Sequence, residues 1–338
     1  MLRKIKYLVL AMILGLKRDL WKKSNKVKVL IAVNKHFTSA SWNVFFKDHY
    51  AKEMQKWDVI YCRNRFDVFK HFAAADICFL YGYSPFLDFS NNKPKLIYFP
   101  LSGLEFLAKM KTPAGVRIEK PHPYSAEAIA EYCVAMAIIL SRNLQHALFD
   151  QKNRKWNQTP ILEYPFVSIS AIKIGVLGVG NIGQAISDKF KKLGCHVAGF
   201  DKVAKKEIAS IDLWFSGNEL KDFLKHVDVL IVALNLNEET QNMIGFEELK
   251  CLAASSFLIN VSRGDVIVEK DLIRALKTKT IKGAVIDTFS NEPIDIDSAF
   301  YKLDNVIVTP HIAGNINLFV KEIQKDFIEK SMEYSRNV

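Results

Sequence analysis

Short apolar runs alternate along the chain with longer segments that carry apolar residues at helical spacing. The runs have the length expected of buried strands, and the intervening segments leave room for helices. We predict strands at residues 27–33, 59–62, 77–80 and 96–99, and again at 172–177, 196–200, 229–233, 257–261, 284–286 and 306–308. We predict helices near residues 41–54, 126–140, 182–193, 219–224 and 270–277. This alternation is typical of α/β domains with parallel sheets.

The chain is long enough for two domains, each with its own core. Pro113, Pro121 and Pro123 mark a loop that precedes the helix predicted at 126–140, which is apolar on almost every side and therefore buried. We place a domain boundary near His122.

The segment 172–201 has the organisation of a nucleotide-binding unit. Gly178, Gly180 and Gly183 follow a predicted strand in G-x-G-x-x-G spacing and open a helix. The first glycine permits the tight turn, the second lets a pyrophosphate approach the backbone, and the third lets the helix pack closely on the strand. The amides at the start of that helix then face the phosphates. Asp201, at the end of the next strand, is placed to accept hydrogen bonds from an adenosine ribose, which favours NAD over NADP.

Four side chains that could perform chemistry follow the last three predicted strands: Arg263, Asp287, Glu292 and His311. The carboxyl ends of parallel strands share one edge of a sheet, so these side chains should lie beside the nucleotide. An arginine matches a carboxylate with its planar fork, and a histidine paired with a carboxylate can transfer a proton near neutral pH.

Candidate substrate loops follow strand ends in the N-terminal half, at Gly82 and at Ser102-Gly103. Each residue taken alone is better explained as an ordinary turn residue.

Composition excludes some other classes of function. The net charge of +11 comes mostly from residues 1–28, which hold nine lysines and arginines against one acid, so nucleic-acid binding is not indicated. The five cysteines lack metal-ligand spacing, which points to a reduced cytoplasmic compartment and to no metal site. Residues 7–16 form a basic-flanked apolar run too short to span a bilayer. Two interpretations of residues 1–26 stay open: weak peripheral membrane contact, or an extension on the protein's own surface.

Several motifs together resemble the NAD-dependent D-isomer-specific 2-hydroxyacid dehydrogenases, which include glyoxylate/hydroxypyruvate reductases and phosphoglycerate dehydrogenases. The resemblance covers residues 126–314 through AEAIAEYCVAMAIILSR, IGVLGVGNIG, DVLIVALNLNEETQNMIG, LINVSRGDVIVEKDLIRAL, GAVIDTFSNEP and NVIVTPHIAG. It implies a Rossmann doubly wound nucleotide domain (122–312) inserted in a smaller flavodoxin-like substrate domain (27–121 and 313–338). It also implies a homodimer and a reaction that interconverts 2-oxo and D-2-hydroxy acids.

The resemblance also implies roles for individual residues. His311 would be the catalytic acid/base and Glu292 its paired carboxylate, while Arg263 would bind the substrate carboxylate with help from Gly82, Ser102 and Gly103. The remaining positions would contact the cofactor, namely Gly178, Gly180, Asn181, Ile182, Gly183, Asp201, Asn235, Thr240, Val261 and Asp287.

Two departures and two alternatives accompany this resemblance. The loop PLSGLEFL at 100–107 is atypical and the tail after Gly314 is short, which leaves substrate specificity open. The first alternative is a regulatory protein that senses NAD(H) on the same fold with little turnover. The second is a related dehydrogenase that acts on formate or phosphonate.

Overall fold

The computed structural model describes residues 25–33, 46, 50–62, 64–82, 94–100, 107, 115–121, 124–159, 168–204, 207–314 and 319–336. The chain divides into two compact units. One unit is Met1–His122 together with Ile316–Val338, and the other is Pro123–Asn315. Residues 1–24 of the predicted N-terminal extension lie outside the described residues, as does most of the helix predicted at 41–54.

The first unit contains a five-stranded parallel sheet. Its strands are β1 (Lys28–Val33), β2 (Asp58–Cys62), β3 (Ile77–Tyr81), β4 (Leu96–Tyr98) and β5 (Arg117–Glu119). They lie in the order β2-β1-β3-β4-β5, which is the flavodoxin-like order. The central strands β1, β3 and β4 are buried almost throughout, as their uninterrupted apolar runs predict.

Three described helices belong to this unit: α1 (Ala51–Met54), α2 (Arg65–Phe72) and, at the end of the chain, α9 (Val320–Arg336). Phe327 of α9 is fully buried. Its ring packs edge-on against Phe79 and Tyr98, with centroids 5.1 and 5.5 Å away. The Tyr98 hydroxyl also donates a hydrogen bond to the Asp326 carboxylate at 2.6 Å. The short C-terminal tail therefore completes the core of the first unit.

The second unit contains a seven-stranded parallel sheet. Its strands are β6 (Lys173–Leu177), β7 (His196–Asp201), β8 (Leu213–Ser216), β9 (Val229–Val232), β10 (Phe257–Asn260), β11 (Gly283–Ile286) and β12 (Val306–Val308). Read from one edge the order is β8-β7-β6-β9-β10-β11-β12, the doubly wound Rossmann arrangement with one added strand. Its described helices are α3 (Ser125–Ser141), α4 (Leu144–Lys152), α5 (Asn181–Lys192), α6 (Leu220–Lys225), α7 (Phe246–Leu249) and α8 (Glu269–Lys277). The predicted α/β fold class is confirmed.

The main differences from the predicted elements are two edge strands and four helices. Strands β5 and β8 were not predicted, because β5 has a single apolar residue, and β8 is half-buried throughout with an apolar run of only three residues that contains no β-branched side chain. Helices α2, α4, α7 and α9 were not predicted. Helix α4 has no buried residue, α7 has only four residues, and α9 was taken only as a short tail. Within the described residues, no helix combines the length and the apolar composition needed to cross a membrane.

Phe327→Ala should lower the free energy of unfolding by about 3–5 kcal/mol, because the substitution leaves a cavity among three rings. Tyr301→Ala serves as the control, since the Tyr301 ring is largely exposed and its loss should cost less than about 1 kcal/mol. The measurement is urea unfolding followed by circular dichroism and fitted with two transitions. Equal losses in the two variants would contradict this role of α9.

Candidate active site

The glycine-rich turn lies between β6 and α5 and has the shape that a diphosphate requires. Gly178 has a φ of 96°, in the left-handed region, so the chain can reverse there. A Cβ on Gly183 would lie 2.1 Å from the Gly178 carbonyl oxygen, which shows how closely the helix packs on the turn. A Cβ on Gly180 would meet no atom within 4 Å, so that side of the turn is open. The first amides of α5, including those of Asn181 and Ile182, have no acceptors within the helix and suit an anion.

Asp201 lies beside this turn at the end of β7. One of its carboxylate oxygens accepts a hydrogen bond from the Val179 amide at 3.2 Å, and the other accepts one from the backbone amide of its neighbour Lys202 at 2.7 Å. The Lys202 ammonium forms an ion pair with Glu239 at 2.7 Å. The structure therefore brings the predicted ribose carboxylate to the predicted phosphate turn, with the nearest lysine already partnered.

The loop after β9 adjoins the same turn, because a Cβ on Gly178 would lie 2.9 Å from the Ala233 carbonyl oxygen. Within this loop the Thr240 hydroxyl donates to the Asn235 carbonyl oxygen at 2.6 Å. Thr240 and Asn235 therefore shape the loop, and their contact with a cofactor stays a prediction. Val261 is buried at the end of β10, and its amide donates to the Val232 carbonyl oxygen.

Arg263 is presented by a loop that is organised around Asn260, the last residue of β10. The buried Asn260 side chain accepts hydrogen bonds from the amide and hydroxyl of Ser262 and donates to the Arg263 carbonyl oxygen at 3.3 Å. The Arg263 guanidinium donates to the Ser262 carbonyl oxygen at 2.7 Å. Asn260 thus closes a local turn that sets where Arg263 leaves the sheet.

His311 and Glu292 are in direct contact. The His311 Nδ1 lies 2.9 Å from a Glu292 carboxylate oxygen, and the other oxygen of Glu292 accepts the Phe289 amide at 2.9 Å. Both side chains remain partly exposed, with 46% and 36% of their surface accessible. The pair therefore joins a fixed carboxylate to an imidazole that is accessible to solvent.

The charge on Glu292 is favoured despite partial burial. Burial raises the pKa of this carboxyl. The hydrogen bonds from His311 and from the Phe289 amide, together with the nearby positive charge of Arg263, lower it by a larger amount, so the pKa lies below its usual range. The stabilisation by this pair is present above the ordinary carboxyl pKa and is lost as the pH falls through the lowered pKa. At neutral pH the Glu292 carboxylate is therefore charged.

Asp287 is placed differently from the other predicted cofactor residues. Its carboxylate is buried and accepts hydrogen bonds from Thr309, Ile312 and Ala313, in the loop that carries His311. Its predicted position near the nicotinamide stays a prediction. Sequence reasoning missed Thr309 and its partner Tyr132, although a tyrosine in an apolar helix is a signal that its hydroxyl needs a partner.

The predicted substrate loops belong to the first unit. Gly82 directly follows β3 and has a φ of 79°, which only glycine adopts easily. Ser102 and Gly103 lie outside the described residues. Among the described residues, no group of three His, Cys, Asp or Glu side chains could hold a metal ion.

Comparison with known proteins identifies relatives that share this organisation. The curated glyoxylate reductase of Thermococcus gammatolerans is 28% identical over 230 residues, which is 67% of this chain and 68% of that protein. A 2-hydroxyacid dehydrogenase family protein from Aeromonas salmonicida has a similar structure, with a TM-score of 0.78, 23% identity and coverage of 92% and 96% of the two chains. An NADPH-dependent glyoxylate/hydroxypyruvate reductase from Sinorhizobium meliloti was solved with NADP and sulfate. Its structure matches with a TM-score of 0.75 and 19% identity, and the match covers 92% of this chain and 95% of that chain.

The family model for the NAD-binding domain of the D-isomer specific 2-hydroxyacid dehydrogenases matches residues 134–313, which is more than half of the chain. The matched region contains the glycine turn, Asp201, Arg263 and the His311–Glu292 pair. The prediction of the family is confirmed: this chain belongs to the D-isomer specific 2-hydroxyacid dehydrogenases, a family of nicotinamide-dependent oxidoreductases.

Proposed function

We propose that the protein interconverts a 2-oxo acid and a D-2-hydroxy acid, with His311 as the acid/base. The observation that carries this proposal is the 2.9 Å contact between His311 and Glu292. It lies at the same sheet edge as Arg263 and the glycine turn, because all of them follow the carboxyl ends of parallel strands. A general acid, a cation for a carboxylate and a dinucleotide turn are the parts that carbonyl reduction needs.

The mechanism assigns one task to each side chain. Arg263 binds the substrate carboxylate with its guanidinium and so orients the neighbouring carbonyl group. Nicotinamide dinucleotide, when bound, supplies the hydride that adds to the carbonyl carbon. Protonated His311 gives its proton to the carbonyl oxygen as negative charge develops there. Glu292 holds the imidazole by Nδ1, which leaves Nε2 to carry the transferred proton, and in the oxidative direction neutral His311 takes that proton back.

The relatives that match support a substrate class, because their names give glyoxylate and hydroxypyruvate as substrates. We therefore propose a small 2-oxo acid of this kind. The participation of Gly82, Ser102 and Gly103 in binding its carboxylate stays a prediction.

The purified protein should oxidise NADH with one member of a panel of glyoxylate, hydroxypyruvate, pyruvate and branched or aromatic 2-oxo acids. His311→Asn should then lower kcat by about two to four orders of magnitude, because the proton donor is lost while a polar side chain is kept. The measurement is the decrease in NADH absorbance, and NADH affinity measured by fluorescence is the control, which the substitution should leave nearly unchanged. A variant that keeps near-normal turnover would refute this role of His311. Tight NADH binding without turnover on any substrate would instead favour the sensor alternative.

We also propose NAD(H) as the preferred cofactor, because a 2′-phosphate would meet the Asp201 carboxylate beside the glycine turn. Lys202, which could attract such a phosphate, is paired with Glu239. Lys205 and Lys206, which have the same potential, lie outside the described residues.

NADH should therefore bind about tenfold or more tightly than NADPH, and Asp201→Asn should reduce that ratio because it removes the like-charge repulsion. Titration of the intrinsic fluorescence with each nucleotide measures both affinities. Asp212→Asn is a control that also removes one negative charge. The Asp212 carboxylate accepts the Val197 amide at the opposite end of β7 from Asp201, so this substitution should leave the ratio unchanged. Preference of the wild type for NADPH would overturn the cofactor proposal.

A homodimer formed through the second unit is also proposed. Helix α4 has no buried residue, yet Leu144, Leu148 and Phe149 expose apolar side chains, and the Trp156 side chain that follows is 92% exposed. We call these four residues the α4 patch. Several large apolar side chains exposed along one surface segment are typical of an interface with another chain.

Phe149→Asp should weaken the dimer by about 100-fold, because a charge would be buried in the contact and an aromatic anchor lost. The measurement is molar mass by size-exclusion chromatography with light scattering over a range of concentrations. Tyr301→Asp, at an exposed aromatic outside the α4 patch, should leave the dimer unchanged. A wild type that is monomeric at all concentrations, or a Phe149→Asp variant that dimerises like the wild type, would contradict this assignment.

A further inference from the structure

The loop that carries His311 is fastened to a buried carboxylate. The Asp287 side chain is 1% exposed. One of its oxygens accepts hydrogen bonds from the Thr309 hydroxyl at 2.6 Å and from the Ile312 amide at 2.9 Å, and the other accepts the Ala313 amide at 2.9 Å. The three donors lie on both sides of His311, so Asp287 holds both ends of the turn that presents the imidazole.

The Thr309 hydroxyl has a second partner, the phenol of Tyr132 on helix α3, at 2.6 Å. A hydroxyl has one proton, and Thr309 gives it to the carboxylate, so the Tyr132 phenol must be the donor to Thr309. Burial raises the pKa of Tyr132, and although its bond with Thr309 acts in the opposite direction, the negative charge of Asp287 raises it further. The phenol therefore keeps its proton, and a directed chain runs from Tyr132 through Thr309 to Asp287.

The turn needs such support because His311 has a φ of 54°. This left-handed conformation costs a residue with a Cβ about 1–2 kcal/mol, so an unsupported loop would relax to another conformation. Within the turn the His311 amide donates to the Thr309 carbonyl oxygen at 3.0 Å, and the next two amides are bound to Asp287. Thr309 is therefore held at three points. Its side chain is bound to Asp287, its carbonyl oxygen accepts the His311 amide, and its own amide donates to the Ile286 carbonyl oxygen at the end of β11.

We propose that Tyr132 and Thr309 are positioning residues for the acid/base His311. Their hydroxyls orient the Asp287 carboxylate and fix the turn in which the imidazole meets Glu292. This inference rests on the proposed function of His311 and extends it to two side chains that do not touch substrate.

Loss of the Thr309 hydroxyl should act on the chemical step more than on binding. Thr309→Val keeps the shape of the side chain but leaves one Asp287 lone pair and the Tyr132 phenol without partners, both in buried surroundings. The turn then samples conformations in which His311 is farther from Glu292. A misplacement of about 1 Å can cost about 100-fold in rate, whereas Arg263, on a separate loop with its own anchor, continues to bind the substrate carboxylate.

The test compares Thr309→Val with Thr309→Ser and Thr288→Val. Thr309→Val should lower kcat for 2-oxo acid reduction about 10- to 100-fold, with KM changed less than about threefold. Its pH profile should also shift, with reductive turnover declining at lower pH than in the wild type, because His311 has lost its carboxylate neighbour.

Thr309→Ser restores the hydroxyl and should return kcat to within about threefold of the wild type. Tyr132→Phe should change kcat in the same direction by a smaller factor, because Asp287 keeps all three of its donors.

Thr288→Val is a matched control for the loss of a buried threonine hydroxyl beside Asp287. Thr288 is as buried as Asp287, but its hydroxyl has no hydrogen-bond partner among the described residues. This variant should keep the kcat and pH profile of the wild type. The inference is overturned if Thr309→Val has wild-type kcat and pH profile, if it changes KM alone, if Thr309→Ser does not rescue it, or if Thr288→Val loses as much turnover.

A spectroscopic readout separates failure of this inference from failure of the proposed function. The ring signal of His311, assigned by its disappearance in His311→Asn, can be followed by ¹H–¹³C NMR as a function of pH without any substrate. In Thr309→Val its titration should shift to lower pH and in Thr288→Val it should not. If no 2-oxo acid is turned over, the proposed function fails, while the NMR comparison still decides whether Thr309 positions the imidazole; an unchanged His311 titration would overturn the inference.

Discussion

The site depends on the requirement that a buried polar side chain must find hydrogen-bond partners. Asn260 and Asp287 are each 1% exposed, and each lies at the carboxyl end of a strand in the middle of the sheet. The partners of both are supplied by the loops that carry chemistry. Asn260 is satisfied by the loop of Arg263, and Asp287 is satisfied by the loop of His311. Since leaving either group unpaired would cost about 1–3 kcal/mol, the conformation of each loop is tied to the stability of the fold.

The parallel sheet brings the two anchored loops to one place. Asn260 pairs in register with Ile286, and Ile286 pairs with Val308, so the loops that follow start level with one another. The ladder continues one step past the strands, because the Asp287 amide donates to the Asn260 carbonyl oxygen and the Thr309 amide to that of Ile286. Backbone pairing therefore determines where the loops begin, and the buried side chains determine which way they turn. Both are needed before an imidazole and a carboxylate can meet at hydrogen-bond distance.

This division of labour explains which features could be predicted from the sequence. The strand ends, the glycine turn and the residues that follow them are local features, so periodicity and spacing were sufficient to predict them. The contact between Tyr132 and Thr309 joins residues 177 positions apart, and no local pattern reports it. The half-buried edge strand Leu213–Ser216 was missed for a different reason, since its apolar run is only three residues long and contains no β-branched side chain. Thr309 was visible in the sequence only as the residue before Pro310-His311, and its role required the tertiary structure.

The loop of Arg263 and the turn of Glu292 are also in direct contact, which couples the two functional side chains. Gly264 has a backbone conformation that any residue could adopt, because its φ is not positive. A Cβ at this position would nevertheless lie 2.0 Å from the carbonyl carbon of Phe289. Glycine is therefore needed there for close approach and not for a turn. The same Phe289 residue donates its amide to Glu292, and that bond contributes to the low pKa of the carboxyl. A side chain at Gly264 would displace the backbone of Phe289 and Ser290, and with it the amide that helps to keep the pKa of Glu292 low, so the environment of this carboxylate depends on the absence of a single methyl group beside Arg263.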